Sequence, residues 1–294
     1  MLSGWLILDK PRGMGSTDAV TLVKRHLRQN GYAKTKVGHG GTLDPLAQGV
    51  LPIALGEATK LAGRMLDASK TYDFTLAFGV ETDGLDAEGT AVGWSDVRPT
   101  LAEITAILPR FLGEIDQIPP AFSAIKVGGK RAYARARAGE VVDMPSRRVT
   151  IHNIDILAQD ANSVTLTAHV SKGSYIRSLA RDIAHACNSV GHVTMLRRTR
   201  AGPFMLSQAI SLDNLADAAM GRTLEEVLLP LEAGLDGIPA LSLSPDEAKA
   251  IAQGRTLFGQ SVKDGDYLAT DGTRPLALVA ITGGASRIIR GFNL

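Results

Sequence analysis

A chain of 294 residues, 45% hydrophobic and 21% charged, has the size and composition of an ordinary soluble globular protein with one large domain, or one large and one small. Its single cysteine, Cys187, excludes an internal disulfide framework, and no apolar run reaches the length of a membrane helix, the longest being broken by Pro52 or by charges. The net charge of +2 is unevenly spread. Residues 19–43, 122–151 and 172–200 each carry +5, leaving −13 for the rest, which is the footprint of a nucleic-acid groove or of solvated basic faces.

Residues 1–4 run straight into a strand-like segment without a signal peptide, so the cytoplasm is the expected location. Leu6, Ile7 and Leu8 read as a short buried strand. Ser16 or Thr17 is placed to cap a helix to about Arg28, with Val20, Val23 and Leu27 at helical spacing. Residues 71–78 alternate, with Tyr72, Phe74, Leu76 and Phe78 on one face of a strand. The acidic run 81–89 lacks the spacing of a calcium loop and reads as a hairpin turn. Residues 101–111 form a predicted helix ended near Gly113.

The segment 122–151 is basic and poor in large apolar side chains, as expected of an excursion from the core. Val164, Leu166, Ala168 and Val170 alternate as another strand. Ser174 is placed to cap a helix to about Cys187, whose apolar stripe includes Ile176, Leu179 and Ile183. Arg177 and Arg181 lie four apart on it and point in a similar direction. Residues 211–235 read as helical. From about Ile238 short strands and turns predict a small β-rich tail. The expected organisation is a mixed α/β domain over 1–235 and a small domain over 236–294.

Asp44 stands out. It lies in the run Gly38-His39-Gly40-Gly41-Thr42-Leu43-Asp44-Pro45-Leu46-Ala47-Gln48-Gly49. Pro45 biases Asp44 away from helix, and the glycines allow close approach of another backbone or a ligand. Asp-Pro and Gly-Gly pairs also mark plain surface turns. Here Leu43, Leu46, Val50, Leu51 and Ile53 set the run against a core, so the loop would present one carboxylate to a pocket at a fixed angle. The loop has neither Walker A spacing nor a Gly-x-Gly-x-x-Gly fingerprint, and one cysteine with scattered histidines argues against zinc.

This run resembles the active-site motif of the TruB family of tRNA pseudouridine synthases. Other stretches agree in order and approximate spacing: Gly4 to Gly13, Gly56-Glu57-Ala58-Thr59-Lys60, Lys70-Thr71-Tyr72, Ser171 to Leu179, and Leu196 to Phe204. The resemblance implies a core built on a central antiparallel sheet with flanking helices and a cleft across its middle. It also implies a mobile insert at about 122–151 that closes over RNA, and a PUA-like RNA-binding module at the C-terminus. Gly84 stands where relatives often carry threonine, a departure expected to touch the fold and not the pocket.

The implied activity is isomerisation of uridine 55 in the T-loop of tRNA to pseudouridine, by a monomer in need of no guide RNA, cofactor or metal. Asp44 matches the family's catalytic acid, Arg177 its arginine partner, Tyr72 its active-site tyrosine, and Leu196 an apolar residue closing the other face of the base pocket. His39 is placed to take up space or bases disturbed when the target base is extruded, or to serve as a packed structural group. Lys10 and Lys60 either meet phosphates or brace the aspartate loop. Lys126, Lys130 and Arg131 supply salt-sensitive RNA affinity. The alternative is a tRNA-binding folding chaperone, since phosphate neutralisation is indifferent to catalysis.

Overall fold

The computed structural model describes residues 2–123 and 125–294; Met1, and Ala124 within the predicted insert, lie outside the described residues. The elements run β1 (Gly4–Lys10), α1 (Ser16–Gln29), β2 (Val37–His39), β3 (Gln48–Leu55), α2 (Ala62–Asp67), β4 (Lys70–Phe78), β5 (Val80–Thr82), β6 (Ala91–Trp94), α3 (Leu101–Ile107) and β7 (Gly113–Gln117). Then come β8 (Lys126–Val127), β9 (Lys130–Arg131), α4 (Ala132–Arg137), β10 (Arg147–Gln159), β11 (Ser163–Val170), α5 (Ile176–Ala186), β12 (Gly191–Ala201), β13 (Phe204–Met205) and α6 (Leu212–Met220). The tail holds β14 (Ala240–Ser242), α7 (Pro245–Ala252), β15 (Gly265–Thr270), β16 (Pro275–Thr282) and β17 (Ala285–Gly291).

The mixed α/β architecture is as expected. Among the described residues one sheet of nine strands dominates, in the order β1-β3-β12-β4-β11-β10-β7, with β2 added on β3 and β13 on β12. It is antiparallel except at one seam. There β12 runs parallel to β3, pairing Arg197 with Gln48 and Arg198 with Gly49. That seam joins the two halves of the sheet, and the aspartate loop enters β3 at its edge.

Alternation along β4 and β11 buries Phe74, Leu76, Phe78, Val164, Leu166, Ala168 and Val170 against the stripe of α5. A second core packs α1 and α6 over β1 and β3. A third gathers around Trp5, which is fully buried, tilted against Phe204 and donates its indole N–H to the Leu231 carbonyl. This third core includes Leu268, Leu278 and Phe292 of the four-stranded tail sheet β14-β15-β16-β17, so the tail shares apolar packing with the main sheet.

Local expectations shift where a tertiary partner competes. Gly15, not Ser16 or Thr17, caps α1, its N–H donated to the Asp18 carboxylate. Ser16 instead turns its hydroxyl to the Leu43 backbone, donating to the carbonyl at 2.9 Å and accepting from the N–H at 2.8 Å. Tyr175, not Ser174, occupies the cap of α5, with its N–H donated to the Gln117 side chain. Pro109 cuts α3 to seven residues and leaves a 3₁₀ turn. The basic excursion ends sooner than its charge suggests, because Arg147 and Arg148 pair with β7 in the main sheet. Past Met220 the segment predicted as helix turns into short 3₁₀ turns. The tail contains a helix that its strand-like reading missed, started by a Ser244–Glu247 capping box with Pro245 behind it.

Gly49 shows how tightly the parallel seam is drawn. Its φ is +103°, and a Cβ there would lie 2.2 Å from the Arg198 carbonyl oxygen. Gly49→Ala should therefore cost at least about 2 kcal/mol in chemical denaturation, from strain plus overpacking; an unchanged midpoint would mean that the seam opens without penalty.

Candidate active site

The loop between β2 and β3 is held at nearly every backbone position. Gly40 donates its N–H to the Pro52 carbonyl. The guanidinium of Arg198, 1% exposed, donates to the carbonyls of Gly41, Thr42 and Val50. Ser16 takes both backbone groups of Leu43, and Gly13 donates its N–H to the Pro45 carbonyl. Asp44 thus sits on a loop whose conformation is over-determined, while its side chain stays 39% exposed.

The exposed carboxylate opens into a cleft of about 360 Å³, with Tyr72, Leu196 and Val170 on the sheet side, Ser174, Tyr175 and Arg177 at the start of α5, and Ile125 at the rim. Tyr72 and Leu196 come from neighbouring strands β4 and β12, whose register pairs Leu196 with Phe74 and Arg198 with Tyr72. Asp44, Tyr72, Arg177 and Leu196, far apart in sequence, are therefore brought to one cavity.

Arg177 is 5% exposed at the first turn of α5 and makes four contacts. One amino group donates to Asp44 at 2.7 Å and to the Phe122 carbonyl at 3.0 Å. The other donates to the Gly84 carbonyl at 2.7 Å and lies 3.1 Å from the Asp86 carboxylate, itself only 10% exposed. A buried guanidinium needs this many acceptors, because unpaired buried charge is strongly unfavourable. The acidic hairpin is thus more than a turn. Asp86 anchors Arg177 from behind, and the backbone of Gly84 reaches the site directly, against the expectation that this position touches only the fold. Asp86 carried no sequence signal beyond its place in an acidic run.

Lys10 is buried at the end of β1, with its ammonium on the carbonyls of Met14 at 2.7 Å, Pro11 at 3.0 Å and Pro45 at 3.5 Å. Burial pulls its pKa down to about 8, against the opposing pull of the nearby Asp44 carboxylate. Lys10 therefore braces the aspartate loop. Lys70 lines the cleft and caps the carbonyls of Met65, Leu66 and Ala68; burial, then Arg198, lowers it likewise to about 8. Neither Lys70, Arg198 nor Tyr175 stood out in sequence as a pocket residue.

Other expected site residues fall elsewhere. His39 ends β2 and does not line the cleft; its Nδ1 accepts from the Gly41 N–H at 3.4 Å, and burial, then Arg198, lowers its pKa. Lys60 does not reach the aspartate loop. It pairs with Glu57 at 2.6 Å and donates to the Gly291 carbonyl at 2.8 Å, tying the tail sheet to the main body. Lys126, Lys130 and Arg131 are exposed on the β8–β9 hairpin, just past Ile125 at the rim.

Lysines of the unfolded chain titrate near 10.5, so the unfolded state binds more protons than the fold between pH 8 and 10.5. The stability that Lys10 and Lys70 contribute by this route is full above pH 10.5 and is lost as pH falls to 8. Unfolding at pH 9 should take up about one proton fewer in Lys70→Met than in the unsubstituted chain, read by calorimetry in buffers of different ionisation enthalpy. Equal uptake would mean that Lys70 titrates normally in the fold.

Residues 25–176 match the TruB family pseudouridylate synthase N-terminal domain, and residues 177–236 match the tRNA pseudouridylate synthase B C-terminal domain. The chain is 62% identical, over its whole length and 98% of the relative, to tRNA pseudouridine synthase B of Novosphingobium aromaticivorans. It is 56% identical, over 99% of its length and 96% of the relative, to the protein of that name from Zymomonas mobilis. A chain of the solved Cbf5-Nop10-Gar1 complex superposes with a TM-score of 0.76 at 26% identity, covering 99% of this chain and 85% of that one. Matched over well more than half its length by these two domains, this chain belongs to the TruB family of pseudouridylate synthases.

Proposed function

We propose that this protein converts uridine 55 in the T-loop of tRNA to pseudouridine, with Asp44 as the catalytic carboxylate. The observation that carries the reading is a single carboxylate on a loop held at nearly every backbone position, exposed to a cleft and held at 2.7 Å by a buried arginine. The family and the tRNA pseudouridine synthase B relatives support the substrate class. The basic insert, the PUA-like tail and uridine 55 itself belong to the proposal.

The reaction is an isomerisation, so no atom is gained or lost overall. The C1′–N1 bond of the uridine breaks with its electron pair going to the uracil ring, and positive charge builds on the sugar, as in other glycosidic cleavages. The Asp44 carboxylate supplies negative charge at that point. Arg177, donating to it at 2.7 Å, keeps it aimed. The detached ring turns so that C5 faces C1′; the new C–C bond forms, C5 releases its proton, and N1 takes one up. A stacked base cannot reach Asp44, so the target nucleotide must be flipped into the cleft at a cost of a few kcal/mol. Tyr72 and Leu196 then flank the ring, the tyrosine through its π-face and the leucine by apolar contact. His39 acts outside the cleft, on the loop disturbed by that extrusion, and Lys10 acts through the aspartate loop. Lys60 serves the junction with the tail, whose sheet would add RNA contacts.

The first test is site-resolved pseudouridine mapping on an unmodified elongator tRNA transcript incubated with protein alone. The expected result is one T-loop signal, lost with Asp44→Asn while tRNA binding persists; a variant that works at the unsubstituted rate would remove Asp44 from the mechanism. Asp86→Asn should lower the rate by at least about tenfold with tRNA affinity kept, because loss of a buried charge partner leaves Arg177 poorly held; an unchanged rate would make Asp86 purely structural. Replacing Lys126, Lys130 and Arg131 by glutamine should reduce the salt dependence of tRNA binding, with log K against log salt less steep by about 2. An unchanged slope would place the hairpin off the RNA path.

The chaperone reading is separated from this one by Asp44→Asn alone: it predicts that tRNA folding assistance survives a substitution that ends isomerisation.

A further inference from the structure

A second groove, of about 1250 Å³, shares no lining residue with the cleft. One wall is the outer face of α1, with Lys24, Arg25 and Arg28; the other is the segment 32–38, with Lys34 and Lys36. All five cations are exposed; Glu57, the one carboxylate among the residues lining the groove, is paired with Lys60 and also feels the charge of Lys36. Between them lies an apolar floor that includes Leu27, Tyr32, Val37 and Ala62. Lys24 and Arg28 stand one helical turn apart, where like charges weaken a helix. Five cations against one carboxylate around one concavity raise a positive potential that calls for a polyanion, not for a single small ion.

The position of the groove narrows the partner. Its lining includes Gly38 on β2, the strand that leads into the aspartate loop. It also includes Glu57, whose carboxylate accepts the Asn293 N–H of the tail and pairs with Lys60. The concavity thus adjoins both the strand that leads into the aspartate loop and the junction with the tail sheet. An RNA engaged at the cleft and reaching toward the tail would cross it.

We propose that this groove binds the phosphodiester backbone of the substrate tRNA outside its T-arm hairpin. This rests on the tRNA reading above, and it adds a contact that a hairpin substrate lacks. The five side chains would position phosphates without reading sequence.

The test compares full-length tRNA with an isolated T-arm hairpin, using the unsubstituted protein and the variant Lys24→Gln, Arg25→Gln, Arg28→Gln, Lys34→Gln, Lys36→Gln. For full-length tRNA the variant should bind at least about tenfold more weakly at moderate salt, with the slope of log K against log salt reduced by about 3 to 4. For the hairpin, affinity and isomerisation rate should stay within about twofold, which also shows that the variant is folded. An unchanged slope with full-length tRNA, or an equal loss with the hairpin, would overturn the proposal. If the unsubstituted protein isomerised neither RNA yet lost full-length binding on substitution, the enzymatic reading would fail and the groove would stand.

Discussion

One buried guanidinium organises the site. Arg177 joins the aspartate loop, the acidic hairpin and the base of the insert through Asp44, Asp86, Gly84 and Phe122. Desolvating a charge of this kind is costly, and the cost is offset only by a complete set of acceptors. The four acceptors come from three separate parts of the chain. The arginine therefore fixes the distance between these elements, while the Asp44 side chain stays 39% exposed.

The aspartate loop is built to resist motion in the same way. Arg198 holds it from the sheet, Ser16 from α1 and Lys10 from the end of β1. A carboxylate fixed in advance has little reorganisation left to do when charge develops beside it. The cationic surroundings are not fixed in the same sense. Burial lowers Lys10 and Lys70 to about 8, so the positive potential around the loop weakens in mildly alkaline solution.

What was legible in the sequence follows from what is local. The Asp44 loop, the Tyr72 strand, the Arg177 helix and the Leu196 strand each carry a contiguous pattern, and the alternation or stripe of each predicts its element. Their meeting in one cleft came from resemblance, not from periodicity. Asp86 was hidden because an acid in an acidic turn looks the same with or without a buried partner. Ser16 and Ser174 misled for the opposite reason: capping preference is a local rule, and a hydroxyl bonded to Leu43 or a side chain such as Gln117 on the cap overrides it. The helix Pro245–Ala252 had its signal in plain sight in Ser244, Pro245 and Glu247, but neighbouring turns and strands masked it.

The parallel seam between β12 and β3 sets an order of events during synthesis. Gly41 and Thr42 emerge early, yet the guanidinium that closes on their carbonyls belongs to Arg198, some 150 residues later in the chain. At roughly 5–20 residues per second that interval is on the order of ten seconds. Throughout it, the start of β3 lacks its β12 neighbour, and the aspartate loop has no anchor on that side. Contacts so distant in sequence form slowly and leave sticky intermediates exposed. The nascent chain must therefore hold half a sheet in readiness until its central strand arrives, and aggregation is most dangerous during that wait.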